Sequence, residues 1–351
     1  MIPLFKIRTD KKDIEEISKV IKRGENWTIG NEADELEKKL AKYVGAKYAV
    51  VCNSGTSALH ATLLTLGIGP GDEVIVPSFS FIATANCVLM VGAKPVFADI
   101  EEETYGLDPE DVLKKITDRT KAIIPVHVGG QPCRIKELKQ LADDYNLFLI
   151  EDACEALGAK VGNKMVGTFG EVGVYSFCQN KMITTGDGGA MVTNNPHIYR
   201  ILKRIVNHGK EGNYFVDLGY NWRLPNILAA LGISQLNKID ENIQKRREIA
   251  ERYDYFFDNH TSWKKGYFYV YQLYTRNFGD KRDAIKNKLT KLGIGCKVYF
   301  DPIHLTPFYK GIGYGNIKLP VTEKIAKQVL TLPCFPDLSR KEQDRICKAI
   351  C

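Results

Sequence analysis

Three short stretches carry side chains able to do chemistry. In SFCQNKMITTGDGGAMVTN, Lys181 follows an apolar run and precedes a Thr-Thr-Gly-Asp-Gly-Gly turn. Glycines there let the backbone approach a ligand closely and adopt positive φ. A lysine beside a dry strand end can lose its proton and form a Schiff base with a carbonyl; the plain alternative is a surface lysine before a hairpin. In LIEDACEALGAKV, Asp152 closes a second apolar run. An acid at that point either caps a helix or faces a ligand at the sheet edge, where it could bond a ring nitrogen about twice as strongly as a neutral partner would. In NSGTSALHA, residues 53–61, Ser-Gly-Thr-Ser opens a helix after a strand. That arrangement aims N–H groups, hydroxyls and the positive end of the helix dipole at an anion, although Ser and Thr are also the commonest N-caps.

The surrounding pattern says what must position them. YAVVC (48–52), EVIVPS (73–78), PVFADI (95–100), AIIPVHV (122–128), FLIEDA (148–153) and VGVYSF (172–177) are almost continuously apolar. Helical ALHATLLTLG, IATANCVLMVG and KELKQLADDYN lie between them. Apolar strands alternating with helices predict an α/β fold with a mostly parallel, seven-stranded sheet covered on both faces. Right-handed crossovers bring the ligand-binding strand ends to one edge. The 29 residues between Asp152 and Lys181 accommodate one hairpin and one strand, so both side chains can reach that edge. Beyond about residue 235 the texture becomes α+β: a long charged helix over LNKIDENIQKRREIAERYDYFF, strands over YFYVYQLYTRNF and CKVYF, helices over AIKNKLTKLG and SRKEQDRICKAI. This predicts a large domain over 1–239, N-terminal segment included, and a small C-terminal domain over 240–351. The first 15 residues are expected against the small domain or a partner subunit.

Composition narrows the class. At about 150 residues per domain, 351 residues give two, and 44% hydrophobic with 26% charged residues is ordinary for a soluble globular chain. No run of 18 apolar residues predicts a membrane span, and MIPLFKIRTDKKD reaches charge too early for a signal peptide, so a cytoplasmic location is expected. Lys and Arg exceed Asp and Glu by only 49 to 42, interleaved in helices such as DKKDIEEISKVIKR, which reads as solvated surface rather than a nucleic-acid face. Nine cysteines without a C-x-x-C pair argue for a reducing compartment and no metal site. Neither a P-loop nor a G-x-G-x-x-G after the first strand occurs. A phosphate cradle, an acid for a ring nitrogen and an amine nucleophile together are what pyridoxal 5′-phosphate requires of a protein.

These segments, with ENWTIGNEADELEKKLAKYVGAKYAV, VIVPSFSFIATAN, GTFGEVGVYSFCQNKMITTGDGG, LGYNWRLPNILAALGISQL and YFDPIHLTPFY, resemble the DegT/DnrJ/EryC1/StrS sugar aminotransferases over most of the chain. The resemblance implies a pyridoxal-phosphate-dependent transferase of fold type I. It makes Lys181 the Schiff-base lysine and proton shuttle, and Asp152 the partner of the pyridine nitrogen. Gly55, Thr56, Ser57 and Ser176 become phosphate ligands, and Phe81 the aromatic stacked on the ring (or a core Phe). It implies a homodimer in which Asn221 reaches the neighbouring subunit's phosphate, and it leaves Arg223 to a substrate phosphate or a structural ion pair. Glu155, a cofactor contact, stands where Gln or His is frequent, Cys178 where His is frequent, and Asp187 replaces a Glu. Glu155 and FDPIHLTPFY resemble the GDP-perosamine synthase branch, with His304 in the substrate pocket or simply packed. The stretch from Tyr255 to Tyr267 is short for the family, where the nucleotide would bind. The implied reaction moves an amino group, from L-glutamate, to a nucleotide-linked 4-keto-6-deoxyhexose in amino-sugar and polysaccharide biosynthesis. The alternatives are a cyclitol ketone as acceptor, a dehydratase, which the presence of Lys181 disfavours, and a non-enzymatic regulator.

Overall fold

The computed structural model describes residues 1–257 and 265–351. Seven strands form the main sheet: β1 (Tyr48–Cys52), β2 (Glu73–Pro77), β3 (Lys94–Ala98), β4 (Thr120–Ile123), β5 (Phe148–Asp152), β6 (Val172–Ser176) and β7 (Gly189–Thr193), in the order β1-β7-β6-β5-β4-β2-β3. All are parallel except β7, which runs antiparallel to β1 and β6. Alternate strand residues enter opposite cores. Ile75, Ile123, Leu149 and Tyr175 face one cluster, while Val74, Val76, Ala122, Ile150 and Val174 face the other. Both faces are thus dry, which is why these strands read as unbroken apolar runs.

Thirteen helices complete the described chain: α1 (Lys11–Arg23), α2 (Asn31–Val44), α3 (Gly55–Thr65), α4 (Ala83–Met90), α5 (Pro109–Lys115), α6 (Ile135–Asp144), α7 (Pro196–Ile205), α8 (Asn226–Leu236), α9 (Ile239–Phe256), α10 (Arg282–Lys291), α11 (Pro307–Gly311), α12 (Pro320–Gln328) and α13 (Arg340–Ile350). Local chemistry sets their ends. Asp10 with Asp13 and Ser339 with Glu342 make capping boxes, and Pro109 and Pro196 start helices behind Asp108 and Asn195 caps.

The C-terminal part departs from expectation in two ways. YFYVYQLYTRNF is not one strand. Tyr267–Phe268 pairs with Lys160–Val161, and β8 (Tyr274–Asn277) pairs with β9 (Val329–Leu332). Between them Tyr271 turns at φ 51°, while Val270 and Leu273 donate to the carbonyls of Gly130 and Gly129 instead of to a ladder. CKVYF makes only the single bridge Lys297 to Thr331, because the chain then leaves to bury Phe300 beside Phe79 and Val126.

Core packing crosses residue 239 in both directions. The small core holds Ile249, Tyr253, Tyr274, Leu289, Leu330 and Ile346, but also Ile2, whose backbone is bonded to Gly293 and Gly295. Conversely, Ile303, Tyr309 and Leu319 return to the large core. Buried Asp99 at the end of β3 receives the N–H groups of Val321 and Thr322. The short nucleotide-proximal stretch expected between Tyr255 and Tyr267 falls largely outside the described residues.

Candidate active site

Because β7 is antiparallel, its first residue lies beside the last residues of β1 and β6: Gly189 is in register with both Cys52 and Ser176. Asp152 ends β5 one strand further along. The three chemical stretches therefore meet at one sheet edge.

The start of α3 is open towards that edge. Ser54 caps it, its hydroxyl taking the Ser57 N–H at 3.1 Å and its carbonyl the Ala58 N–H at 3.0 Å. Those of Gly55 and Thr56 are left to point out of the helix end. Two glycines make room. A Cβ on Gly189 would sit 2.5 Å from the Ser54 carbonyl carbon, and one on Gly55 would sit 3.0 Å from Ser176 Cβ. Ser176, partly exposed, accepts the Cys178 N–H.

Asp152 is 5% exposed, yet no helix follows it, so it caps none. Its Oδ2 accepts the Thr84 hydroxyl at 2.8 Å, and that hydroxyl is 2.8 Å from Ser80 Oγ. Its Oδ1 accepts the Cys154 N–H at 3.2 Å. Glu151, the preceding residue, points into the protein, where it takes the N–H groups of Gly167, Phe169 and Gly170 and meets His127 at 3.2 Å. That network pins β5 from behind.

Lys181 sits in the loop between β6 and β7, whose base is closed by the bonds of Phe177 to Gly188 and Thr185 to Phe177. Its Nζ lies 3.1 Å from Glu155 Oε1. Burial pulls the ammonium's pKa down, but the Glu155 carboxylate, with Asp152 adding to it, more than offsets this and leaves it raised. The Glu155 carboxylate thus favours the ammonium form of this amine over the free amine that burial alone would favour.

The remaining positions divide. Phe81 is 61% exposed beside the start of α4 and is no core residue. Asn221 is exposed on a segment that runs beside Asn53, since Trp222 accepts the Asn53 N–H. Arg223 makes no ion pair among the described residues; its Nη1 donates to Asn207 Oδ1 at 2.7 Å. Of its two readings, His304 takes the packed one. It is fully buried, with Nδ1 2.6 Å from Ser78 Oγ, Nε2 3.6 Å from Glu323 and the ring against Phe97. Nδ1 is thus engaged by Ser78, while Nε2 has no hydrogen bond, its nearest carboxylate being the partly exposed Glu323. Thr84, Ser80 and Gly129 escaped the sequence reading. The hydroxyls of VIVPSFSFIATAN were their one visible trace, and nothing in the spacing ties Thr84 to Asp152. Among the described residues no cluster could hold a metal ion, and no helix is long and apolar enough to cross a membrane.

A parallel sheet whose edge gathers an amine, a buried carboxylate and a helix start open to a phosphate defines a fold-type-I, pyridoxal-phosphate-dependent transferase. The chain belongs to the DegT/DnrJ/EryC1/StrS aminotransferase family, which it matches over residues 8–351. It is 36% identical to GDP-perosamine synthase of Escherichia coli O157:H7, over 99% of this chain and 97% of that one. It is also 36% identical to the UDP-2-acetamido-2-deoxy-3-oxo-D-glucuronate aminotransferase of Pseudomonas aeruginosa, over 95% and 94%. The crystal structure of S. venezuelae DesV superposes with a TM-score of 0.95 at 33% identity, over 99% and 97%. The enzyme is an aminotransferase with pyridoxal 5′-phosphate as cofactor. The residues at the edge fit that group: a lysine amine, a buried carboxylate held by two donors, and a glycine-lined helix start that a Cβ would obstruct.

Proposed function

We propose that this aminotransferase moves an amino group from an amino acid, L-glutamate, to the ketone of a nucleotide-linked deoxysugar of the 4-keto-6-deoxyhexose type, working as a cytoplasmic homodimer. The observation that carries the reading is the convergence of Lys181, Asp152 and the open start of α3 on one sheet edge. The names of the Escherichia coli and Pseudomonas aeruginosa relatives, both of nucleotide-sugar chemistry, support the acceptor class.

When bound, pyridoxal phosphate supplies a carbonyl that captures amines reversibly and a ring that takes up electrons. The chain does the rest. Gly55, Thr56, Ser57 and Ser176 would hold the phosphate against sliding, Asp152 would bond the ring nitrogen, and Phe81 would cover the ring. Lys181 would hold the group through its amine Nζ and, once free, would move a proton at the donor carbon. Glu155 borders the cofactor from the lysine side. Asn221 serves the partner's phosphate, and Arg223 lies near it for the substrate's. His304 acts from inside, by holding Ser78 at the end of β2.

Donor and acceptor use one site in turn, which predicts ping-pong kinetics. The test is Lys181→Ala assayed with glutamate against a panel of 4-keto and 3-keto nucleotide sugars. Wild type aminates a member of the panel, and the variant loses transfer while keeping the circular dichroism of the parent. Undiminished transfer by Lys181→Ala overturns the assignment.

A further inference from the structure

We propose that Glu155 is the counter-charge that sets the ionisation of Lys181, and so the pH at which this amine becomes a nucleophile. Three observations carry it. Glu155 Oε1 stands 3.1 Å from Nζ. Its other oxygen accepts the Gly129 N–H at 2.9 Å, so the carboxylate is gripped at both ends and cannot turn to water. That amide belongs to a residue at φ 65°, where a side chain would be strained and its Cβ would approach Leu273 at 3.4 Å. The anchor is therefore built into the turn after β4.

Glu155 is also the one anion bonded to Nζ among the described residues. Asp152 faces the same space, but its oxygens are taken by Thr84 and the Cys154 N–H. Burial raises the Cys154 thiol well above its ordinary range and raises the Tyr299 phenol, so both stay uncharged at neutral pH. Cys178 lies on the lysine's own loop. On that loop's other side Lys6, Arg8 and Arg246 line the neighbouring cleft, and their charge opposes rather than favours an ammonium. A lysine this deep would ordinarily shed its proton; with Glu155 the balance goes the other way. The inference rests on Lys181 being the reactive amine, but needs no sugar and no turnover to be checked.

The full-length chain, freed of cofactor, is labelled with trinitrobenzenesulfonate across the neutral to alkaline range, and the Lys181 peptide is quantified by mass spectrometry. Removing an opposite charge at this distance moves a pKa by about 1–3 units, so Glu155→Gln should lower the labelling midpoint of Lys181 by that much, while Glu155→Asp, which keeps the charge, should recover part of it. An unchanged midpoint in Glu155→Gln overturns the proposal. So does an equal fall in both variants, which would make shape rather than charge the cause. If Glu155→Gln does not fold, Gly129→Ala, which disturbs the anchoring amide, is read in the same way with a smaller downward shift expected; no shift overturns it. A chain that still transfers amino groups while its midpoint ignores residue 155 defeats this inference and leaves the proposed function standing.

Discussion

At the scale of single residues, the site works by fixing charged groups from the side that faces away from the ligand. Asp152 illustrates this. A buried carboxylate needs donors in place of lost water, and the Thr84 hydroxyl and Cys154 N–H supply them. Thr84 is itself buried at 1% exposure, so its hydroxyl has no water to fall back on. Replacing Thr84 with Val keeps the shape and deletes the donor. Hydrogen bonds to charged groups contribute about 1.5–3 kcal/mol, and Thr84→Val is expected to lower the urea-unfolding midpoint accordingly and to weaken cofactor retention, since Asp152 is then held by one donor alone. Unaltered unfolding and unaltered cofactor affinity would show that Thr84 does not position Asp152. The same scale marks where sequence reading ends. Lys181, Asp152 and the 53–57 turn announce themselves by residue type at the end of an apolar run. Thr84 becomes meaningful only through a partner 68 positions away, a distance no local pattern encodes. The two readings of His304 could not be separated for a like reason: what packs it are Ser78, Phe97 and Glu323, all remote or unpatterned in the sequence.

Elements were legible in proportion to how completely they are buried. All seven strands of the main sheet are sandwiched, and six of them were readable as apolar runs. Tyr267–Phe268 and β8 were not separable by pattern, because what divides them is hydrogen bonding to the remote Gly129–Gly130 turn. The far end of β2 shows how a polar residue survives in such a sheet. Glu73 begins that strand with its side chain buried. Burial pushes its carboxyl up, but the Thr117 hydroxyl, Lys94 and Arg119 prevail and hold it at about 2. A carboxyl depressed in the folded state contributes stability that is complete above its ordinary value of 4.5 and is lost as pH falls towards 2. Wild type should therefore lose thermal stability over that interval more steeply than Glu73→Gln, which has no proton to take up. Parallel acid limbs for the two proteins, followed by scanning calorimetry, would remove Glu73 from the account.

For the whole molecule, the surface poses a question that the fold leaves open. The hairpin formed by Lys210–Glu211 and Tyr214–Phe215 projects Tyr214, Phe215 and Leu218 at 75%, 73% and 83% exposure. Single exposed apolar residues are commonplace, but neighbouring ones of this size mark surfaces that bind something. The hairpin leads directly into Asn221, itself exposed, on the segment proposed to serve the phosphate of a second subunit. In the proposed homodimer these apolar residues would be covered, and covering them would carry Asn221 to the partner's site. Charges placed there would have to be desolvated for the subunits to meet. Phe215→Asp combined with Leu218→Asp should convert the particle seen by light scattering from twice 39.5 kDa to 39.5 kDa, and transfer should fall with it because each site loses its neighbour's contribution. Lys181 belongs to its own chain, so its labelling by an amine reagent should persist in the monomer, which separates a broken interface from a broken fold. A wild-type particle of 39.5 kDa that transfers amino groups normally would mean that the site is complete within one chain and that the hairpin meets something else.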